Sequence, residues 1–456
     1  MKYSITLILS LLCSMAIAQS VTFKALRFDE DYSTSDQMAG NNWYHRFKFH
    51  PITSDGSAYL SFGGEVRSQY FYYKDQNWGE SPPDHDGFIL SRALFHADLH
   101  IGKYIRTFVQ VQSSLSNGEL APPSPVNQNP LDLHQAFIDV QFPLEKNTAL
   151  TLRLGRQELL YGSQRLVSVR DAPNNRQAFD GAKVIYNSKL VSFDGFYTNY
   201  VAARPGIFDD KPTADTRFWG GYAVFKDVPL VKHLDLYYLG LKKRLAMFDD
   251  GKGREVRHSI GARLWNTGEK WQYDLEGVYQ FGKFGSGSIS AYTISSNIAY
   301  TFKSLTLRPQ AGVKAEVISG DKHYDDGRLS TFNPLFPRGG YFGLAALIGP
   351  SNLFDMHPYV QISLSPHLTL TEDYDVFWRL NQNDGLYAIS GKLLYSGKNG
   401  FSRYIGGQLG TTLEYNPTNF LYMRAELTWF DSGKYLKEAG PGKDILMTGL
   451  TITYKF

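Results

Sequence analysis

Segments of strict period-two alternation recur from Leu60 to the last residue of the chain. In 60–72, Leu60, Phe62, Val66, Tyr70 and Tyr72 alternate with Ser61, Glu65, Arg67 and Gln69, so one face of an extended strand is apolar and the other charged. The dyad returns at 88–101, where Ile89, Ala93, Phe95, Ala97, Leu99 and Ile101 oppose Arg92, His96, Asp98 and His100. It returns again at 256–265, at 288–302 and at 368–379. A soluble sandwich also alternates, so no single segment decides the fold. The spacing between segments does.

Connections alternate between short and long. Short turns fall near 101–103, 143–148, 187–189, 227–232, 266–270, 303–305, 365–367 and 415–418. Long, polar, Gly/Pro-rich loops fall near 75–87, 117–130, 161–178, 201–215, 244–254, 283–287, 320–350, 380–401 and 432–443. Eight turns and nine loops separate 18 strands, with both termini on the short-turn side. That predicts an all-β fold, a transmembrane antiparallel β-barrel with short periplasmic turns and long extracellular loops. The parity of strands 216–226 and 233–243 is not fixed by the pattern, and 386–396 reads as loop. With 30 Tyr, 30 Phe and 42 Gly, composition suits strands, turns and aromatic girdles. No stretch after residue 18 approaches the ~18 apolar residues of a membrane helix.

The N-terminus reads as an export signal. Lys2 precedes an apolar run from Ile5 to Ala18, and Ala16-Ile17-Ala18 offers small residues before a cleavage site, so 1–18 is a predicted signal peptide. Cleavage removes Cys13, the single cysteine, and with it any disulfide or thiolate metal site. Leu12 sits where a lipoprotein site wants a small residue. The formal charge of +3 excludes a strongly basic nucleic-acid binder. The polar stretch 19–56 carries Arg27, Arg46, Lys48, Asp29, Glu30 and Asp31 and reads as a periplasmic segment or a plug; 57–456 is the barrel. At the other end Leu450, Ile452, Tyr454 and Phe456 alternate with Thr451, Thr453 and Lys455. This resembles the terminal strand signature that the barrel-assembly machinery recognises.

Three further segments carry a family resemblance: Leu154-Gly155-Arg156-Gln157-Glu158-Leu159; Asn175-Arg176-Gln177-Ala178-Phe179-Asp180-Gly181; and Gly320-Asp321 followed by Phe332-Asn333-Pro334-Leu335-Phe336-Pro337. In this order, on an 18-strand pattern, the chain resembles the alginate-export family over nearly all of its mature length. The resemblance implies a monomeric barrel in the cell outer membrane, in which an arginine-rich constriction conducts an anionic polysaccharide. It implies no cofactor and a pore-lining place for Asp321. The competing reading is a general or substrate-selective diffusion porin, which a single sequence does not separate from an exporter. An outer-membrane barrel enzyme would need a Ser/His pair on the lipid-facing rim, and no Gly-x-Ser-x-Gly elbow occurs.

The lumen-facing charges segregate. The first ten strands offer Arg67, Arg92, Arg106, Arg153, Lys183, Arg257 and Arg263 against Glu65, Asp98, Asp139 and Asp194. The last eight offer Arg308, Lys314, Arg379 and Arg424 against Asp274, Glu276, Glu316, Asp373, Asp375, Glu414 and Glu426. A basic wall is therefore expected to face an acidic one. The blander reading is local pairing, as between Glu65 and Arg67 or Arg424 and Glu426. Arg156, Arg165, Arg170 and Arg176 resist it, since four cations in 21 residues repel unless acids or an anionic ligand compensate. Arginine also meets a carboxylate with two parallel hydrogen bonds. Arg67, Arg92, Arg106, Arg153, Arg156 and Arg176 are accordingly expected to converge on a mainly positive constriction. Leu60, Phe62, Phe95, Ile101, Ile298, Tyr300, Ile452 and Phe456 are expected to face lipid, and Arg67, Arg92, Arg106 and Arg308 the lumen. His96 and His100 lie ~13 Å apart along one strand, too far to share a metal. Asp84-His85-Asp86-Gly87 and Asp325-Asp326-Gly327 read as turns rather than calcium loops. Pro334, Pro337 and Pro350 suit an ordered, in-folded loop over 320–350.

Overall fold

The computed structural model describes residues 22–33, 43–145 and 148–456. The predicted signal peptide lies outside the described residues, as do 19–21 and 34–42 of the segment that follows it. Eighteen long strands form the wall. The first six are β1 (Ala58–Lys74), β2 (Phe88–Ile101), β3 (Ile105–Asn117), β4 (Asn129–Glu145), β5 (Thr148–Gln157) and β6 (Phe179–Asn187). Then come β7 (Val191–Ala202), β8 (Lys211–Val228), β9 (Lys232–Phe248), β10 (Gly251–Thr267), β11 (Trp271–Phe284) and β12 (Gly287–Thr301). The last six are β13 (Gln310–Ile318), β14 (Leu353–Ser365), β15 (Leu368–Arg379), β16 (Tyr404–Thr418), β17 (Leu421–Ser432) and β18 (Ile445–Lys455). Each pairs antiparallel with the next, and β18 returns to β1 in register from Glu65↔Lys455 to Lys74↔Leu446. Closure leaves no edge, the condition for a sheet in hydrocarbon.

The alternation sets the two faces as expected. On β1 and β2, Ser61, Glu65, Arg67, Gln69, Arg92, His96 and Asp98 are buried toward the lumen, while Val66, Phe95 and Ile101 are exposed outward. Ile298 and Ile452 also face out. Arg308 is a correction: it is an exposed residue of the 302–309 turn, with φ +43°, not a lumen-facing strand residue.

Parity fails to show on β8 and β9 because both faces are apolar there. Phe218, Tyr222, Tyr237, Leu239 and Leu241 are buried inward, whereas Leu236 and Tyr238 are exposed outward. The inward aromatics carry their polarity at their tips: Tyr222 donates to Asp235 at 2.7 Å and Tyr237 to Glu276 at 2.6 Å. Two expected long loops are also corrected. Residues 249–250 and 285–286 are two-residue turns, and the strands simply run on into polar sequence beyond. Gly285, at φ +56°, supplies the left-handed residue one of these turns requires. Conversely, the turn after β12 spans 302–309 on the short-turn side.

The hydrophobic core lies inside the barrel. Loops 158–178 and 319–352 fold into the lumen and pair with each other: Ser168 N–H donates to Phe336 O at 2.9 Å, and Phe336 N–H to Leu166 O at 2.9 Å. The Phe336 ring packs against Phe179, Tyr200 and Phe218 of the wall, with centroids at 5.0, 5.8 and 4.9 Å. A small hairpin, Leu386–Tyr387 with Leu393–Tyr395, and helix Lys434–Ala439 cover the long-loop end. At the short-turn end residues 22–33 enter the barrel. Phe28 packs between Phe108 and Phe137, and Arg27 binds the closing seam through Gly64 O (2.8 Å) and Phe456 O (2.9 Å).

Candidate arginine-lined site

The in-folded loop 158–178 organises the lumen. Its anchor is Asn174, fully buried, whose amide nitrogen lies 2.9–3.0 Å from the carbonyls of Ser91, Leu115 and Asn127. The next side chain, Asn175, bonds Pro125 O at 2.9 Å. Between these anchors and Arg170 the loop presents Asp171 to the wall.

Three arginines converge there. Arg67 of β1 donates to the main-chain carbonyls of Asp171 (2.6 Å) and Pro173 (2.8 Å). Arg92 of β2 donates to Asp171 Oδ1 (2.7 Å) while also pairing Glu65. Arg176, from the same loop, lies 3.7 Å from Asp171 Oδ1 and pairs Glu158, which in turn binds His134 at 2.7 Å. Burial would raise the Asp171 pKa, but the charges of Arg92, Arg176 and Arg67 outweigh it and hold the carboxyl well below its usual range. The barrel encloses this carboxylate, yet 60% of the side chain stays open. It faces a cavity of about 290 Å³ lined by Glu65, Arg67, Arg92, Asp171, Arg424 and Lys455 among others.

The other expected arginines lie elsewhere. Arg106 and Arg153 line a separate cavity of about 910 Å³ at the short-turn end, beside Lys183 and the inserted Phe28. Each is matched to an acid: Arg106 bonds both oxygens of Asp98, and Arg153 grips Asp139 with two 2.7 Å bonds. Arg156 pairs Asp180 at 2.8 Å and Asp132 at 3.6 Å. The six therefore form three groups, with Arg67, Arg92 and Arg176 meeting at Asp171, Arg106 and Arg153 lining the short-turn cavity and Arg156 apart from both, and local pairing claims much of the charge. Asp321 is buried in loop 319–352, where its oxygen accepts from the amides of Lys322 and Ser330 and its own amide donates to Asp384, apart from the arginines. Burial pushes its pKa up to about 7.

Arg165 compensates the opposite wall. It reaches Glu316 (3.0 Å), Glu276 (3.2 Å) and Asp274 (3.3 Å). Among the described residues, Arg170 alone of the four clustered arginines makes no ion pair. The sequence reading missed Asp171 and Glu158 as partners. The only available signal was their position inside the arginine-rich run, Asp171 next to Arg170 and five residues before Arg176.

A model of the alginate export family matches residues 58–444, most of the chain. The chain belongs to the alginate export family. No curated protein matches it. Among solved structures it is similar to a BenF-like porin from Pseudomonas fluorescens Pf-5, with 12% identity, a TM-score of 0.58, and 87% of this chain and 98% of that one covered. OpdK of Pseudomonas aeruginosa, solved with vanillate, gives 12% identity, a TM-score of 0.56 and the same coverage. OccK2 (OpdF) of Pseudomonas aeruginosa, in complex with glucuronate, gives 12%, 0.53 and again 87% and 98%. This alginate export family member thus has the fold of porin-like barrels and an outer-membrane location. The family points to a transport channel rather than an enzyme. Its motif segments meet at the plug: 154–159 and 175–181 bound loop 158–178, and Phe336 of 332–337 hydrogen-bonds to it.

Proposed function

We propose that this protein exports an anionic polysaccharide, an alginate-like polyuronate, across the outer membrane as a monomer, with its short turns periplasmic and its last strand read by the barrel-assembly machinery. The convergence of Arg67, Arg92 and Arg176 on Asp171, beside the cavity of about 290 Å³, carries the reading. The Asp171 carboxylate, bonded by Arg92 and flanked by Arg176 while Arg67 binds the adjoining main-chain carbonyls, is a stand-in for a uronate group, and the same donors would meet successive carboxylates of a passing chain. Loop 158–178 acts as the gate, and residues 22–33 narrow the periplasmic entrance.

The second reading, a carboxylate-selective diffusion porin, is favoured by the neighbours solved with vanillate and glucuronate, both small carboxylates. Single-channel recording separates the two. An exporter gives long, voltage-dependent current blocks with oligouronates that lengthen with chain length, no comparable blocks with neutral oligosaccharides, and loss of blocking in Arg67→Glu. Equal block by charged and neutral chains would overturn the polyuronate reading. Brief, length-independent events would favour the porin.

A further inference from the structure

Away from the arginine site, three carboxylates meet where β4 begins and loop 203–210 leads from β7 into β8. Asp132, Asp209 and Asp210 each offer an oxygen, and these oxygens all lie within 4.8 Å of one another. The nearest cation, Arg156, spends its shorter contact on Asp180, at 2.8 Å against 3.6 Å to Asp132. Among the described residues no cation forms an ion pair with Asp209 or Asp210, and Asp132 has only the longer contact of Arg156.

Asn129 supplies an observation independent of the acids. It is 1% exposed, and its side-chain Oδ1 has no hydrogen-bond partner. Its amide is aimed into the cluster, with Nδ2 2.7 Å from Asp210 Oδ2. A buried oxygen without a partner is destabilising. A half-turn of the amide exchanges nitrogen for oxygen at the carboxylate, which is favourable only with a cation between them. Oδ1 of Asp209 is a second buried acceptor without a partner.

We propose that Asp132, Asp209, Asp210 and Asn129 form a calcium site that pins loop 203–210 to the start of β4. Carboxylate and amide oxygens are the donors of a hard cation, and Ca²⁺ takes six to eight of them at ~2.3–2.6 Å, with water completing the shell. No nitrogen or sulfur donor is in the set, which disfavours zinc. The sequence hides the site because its acids lie 77 positions apart and only Asp209-Asp210 are neighbours.

The test is titration calorimetry of CaCl₂ into full-length protein, refolded free of lipopolysaccharide and treated with EDTA. We expect one ion per barrel, with Kd in the ~10⁻⁴–10⁻³ M range of extracellular sites. Asp209→Asn and Asp210→Asn should each weaken it roughly tenfold, and Asn129→Ala severalfold, while Asn129→Asp should tighten it by adding a ligand charge. Heat-modifiable migration on gels verifies that each variant is a folded barrel. Lack of saturable binding by the wild type, or wild-type affinity in the Asp209→Asn/Asp210→Asn double variant, overturns the site. An Asn129→Asp variant that binds no tighter removes Asn129 from the ligands, and MgCl₂ binding as tightly as CaCl₂ overturns the choice of ion.

Discussion

Replacing Asp171 by Asn removes one charge from the arginine site and little else. The Arg67 bonds go to main-chain carbonyls, and the loop is anchored through Asn174 and Asn175, so the in-folded shape persists. The cavity is lined by four cations (Arg67, Arg92, Arg424, Lys455) and two acids (Glu65, Asp171), a net +2 that becomes +3 in the variant. At about 8 Å and an effective dielectric of ~20, one unit charge is worth ~2 kcal/mol to a permeating ion. Screening with a Debye length of ~10 Å at 0.1 M salt reduces this to ~1 kcal/mol. Anions gain and cations lose that amount, so the permeability ratio should rise roughly thirtyfold. Reversal potentials in planar bilayers under a salt gradient read it directly. At 1 M salt, where the Debye length is ~3 Å, the difference should nearly vanish. An Asp171→Asn channel with wild-type selectivity at 0.1 M would refute the claim that this cluster sets the field of the pore.

Asn174→Ala should free the loop, because three carbonyls lose one buried donor at a cost of ~1–3 kcal/mol; expected are larger, noisier single-channel conductance and new protease cleavage within 158–178. A second device is the lid that loop 319–352 and the 386–395 hairpin form over the long-loop end, where burial pushes Asp321 up to about 7 and Asp384 up to about 6, with Asp250 adding its charge beside Asp321 and the Thr331 and Tyr387 hydroxyls bonding Asp384. Both are raised, so the neutral forms stabilise the closed lid, fully below pH ~4, and that contribution is lost as pH climbs through 6 to 7. Hydrogen exchange at 384–387, corrected for intrinsic rate, should therefore be faster at pH 8 than at pH 5.5, and Asp321→Asn/Asp384→Asn should abolish the difference.

The barrel was legible because hydrocarbon outside and charge inside give a period-two contrast, strongest on β1 and β2. It was illegible on β8 and β9 because Phe336 of the plug makes the inner wall apolar at Phe218, and Tyr222 and Tyr237 hide their hydroxyls at the tips of apolar rings. Loop length was overestimated at 244–254 because strands that extend beyond the bilayer need no apolar face, so Arg244, Lys252 and Arg254 read as loop. The arginines were legible as residues but not as a site. Their grouping depends on which carboxylate each meets: Asp171 and Glu158 come to them through the fold of one loop, while Asp180 faces Arg156 across the β5–β6 register.

That loop also accounts for the segregation of charge around the wall. A transverse field across an open lumen stores unfavourable energy on each face, since like charges crowd there without counterparts. Loop 158–178 carries the opposite polarity: Asp171 meets Arg67 and Arg92 on the basic side, and Arg165, six residues earlier, meets Asp274, Glu276 and Glu316 on the acidic side. Breaking either end leaves partly buried charges unpaired, at ~3–5 kcal/mol where burial is complete. The plug is therefore held by electrostatic complementarity at both walls, and a polyanion can replace only one of its ends. A chain of carboxylates competes with Asp171 for the guanidiniums but offers nothing to the acids that hold Arg165. Because Asn174 and Asn175 hold the loop to the basic side independently of Asp171, such a chain would free the Asp171 carboxylate from Arg92 without releasing the loop itself.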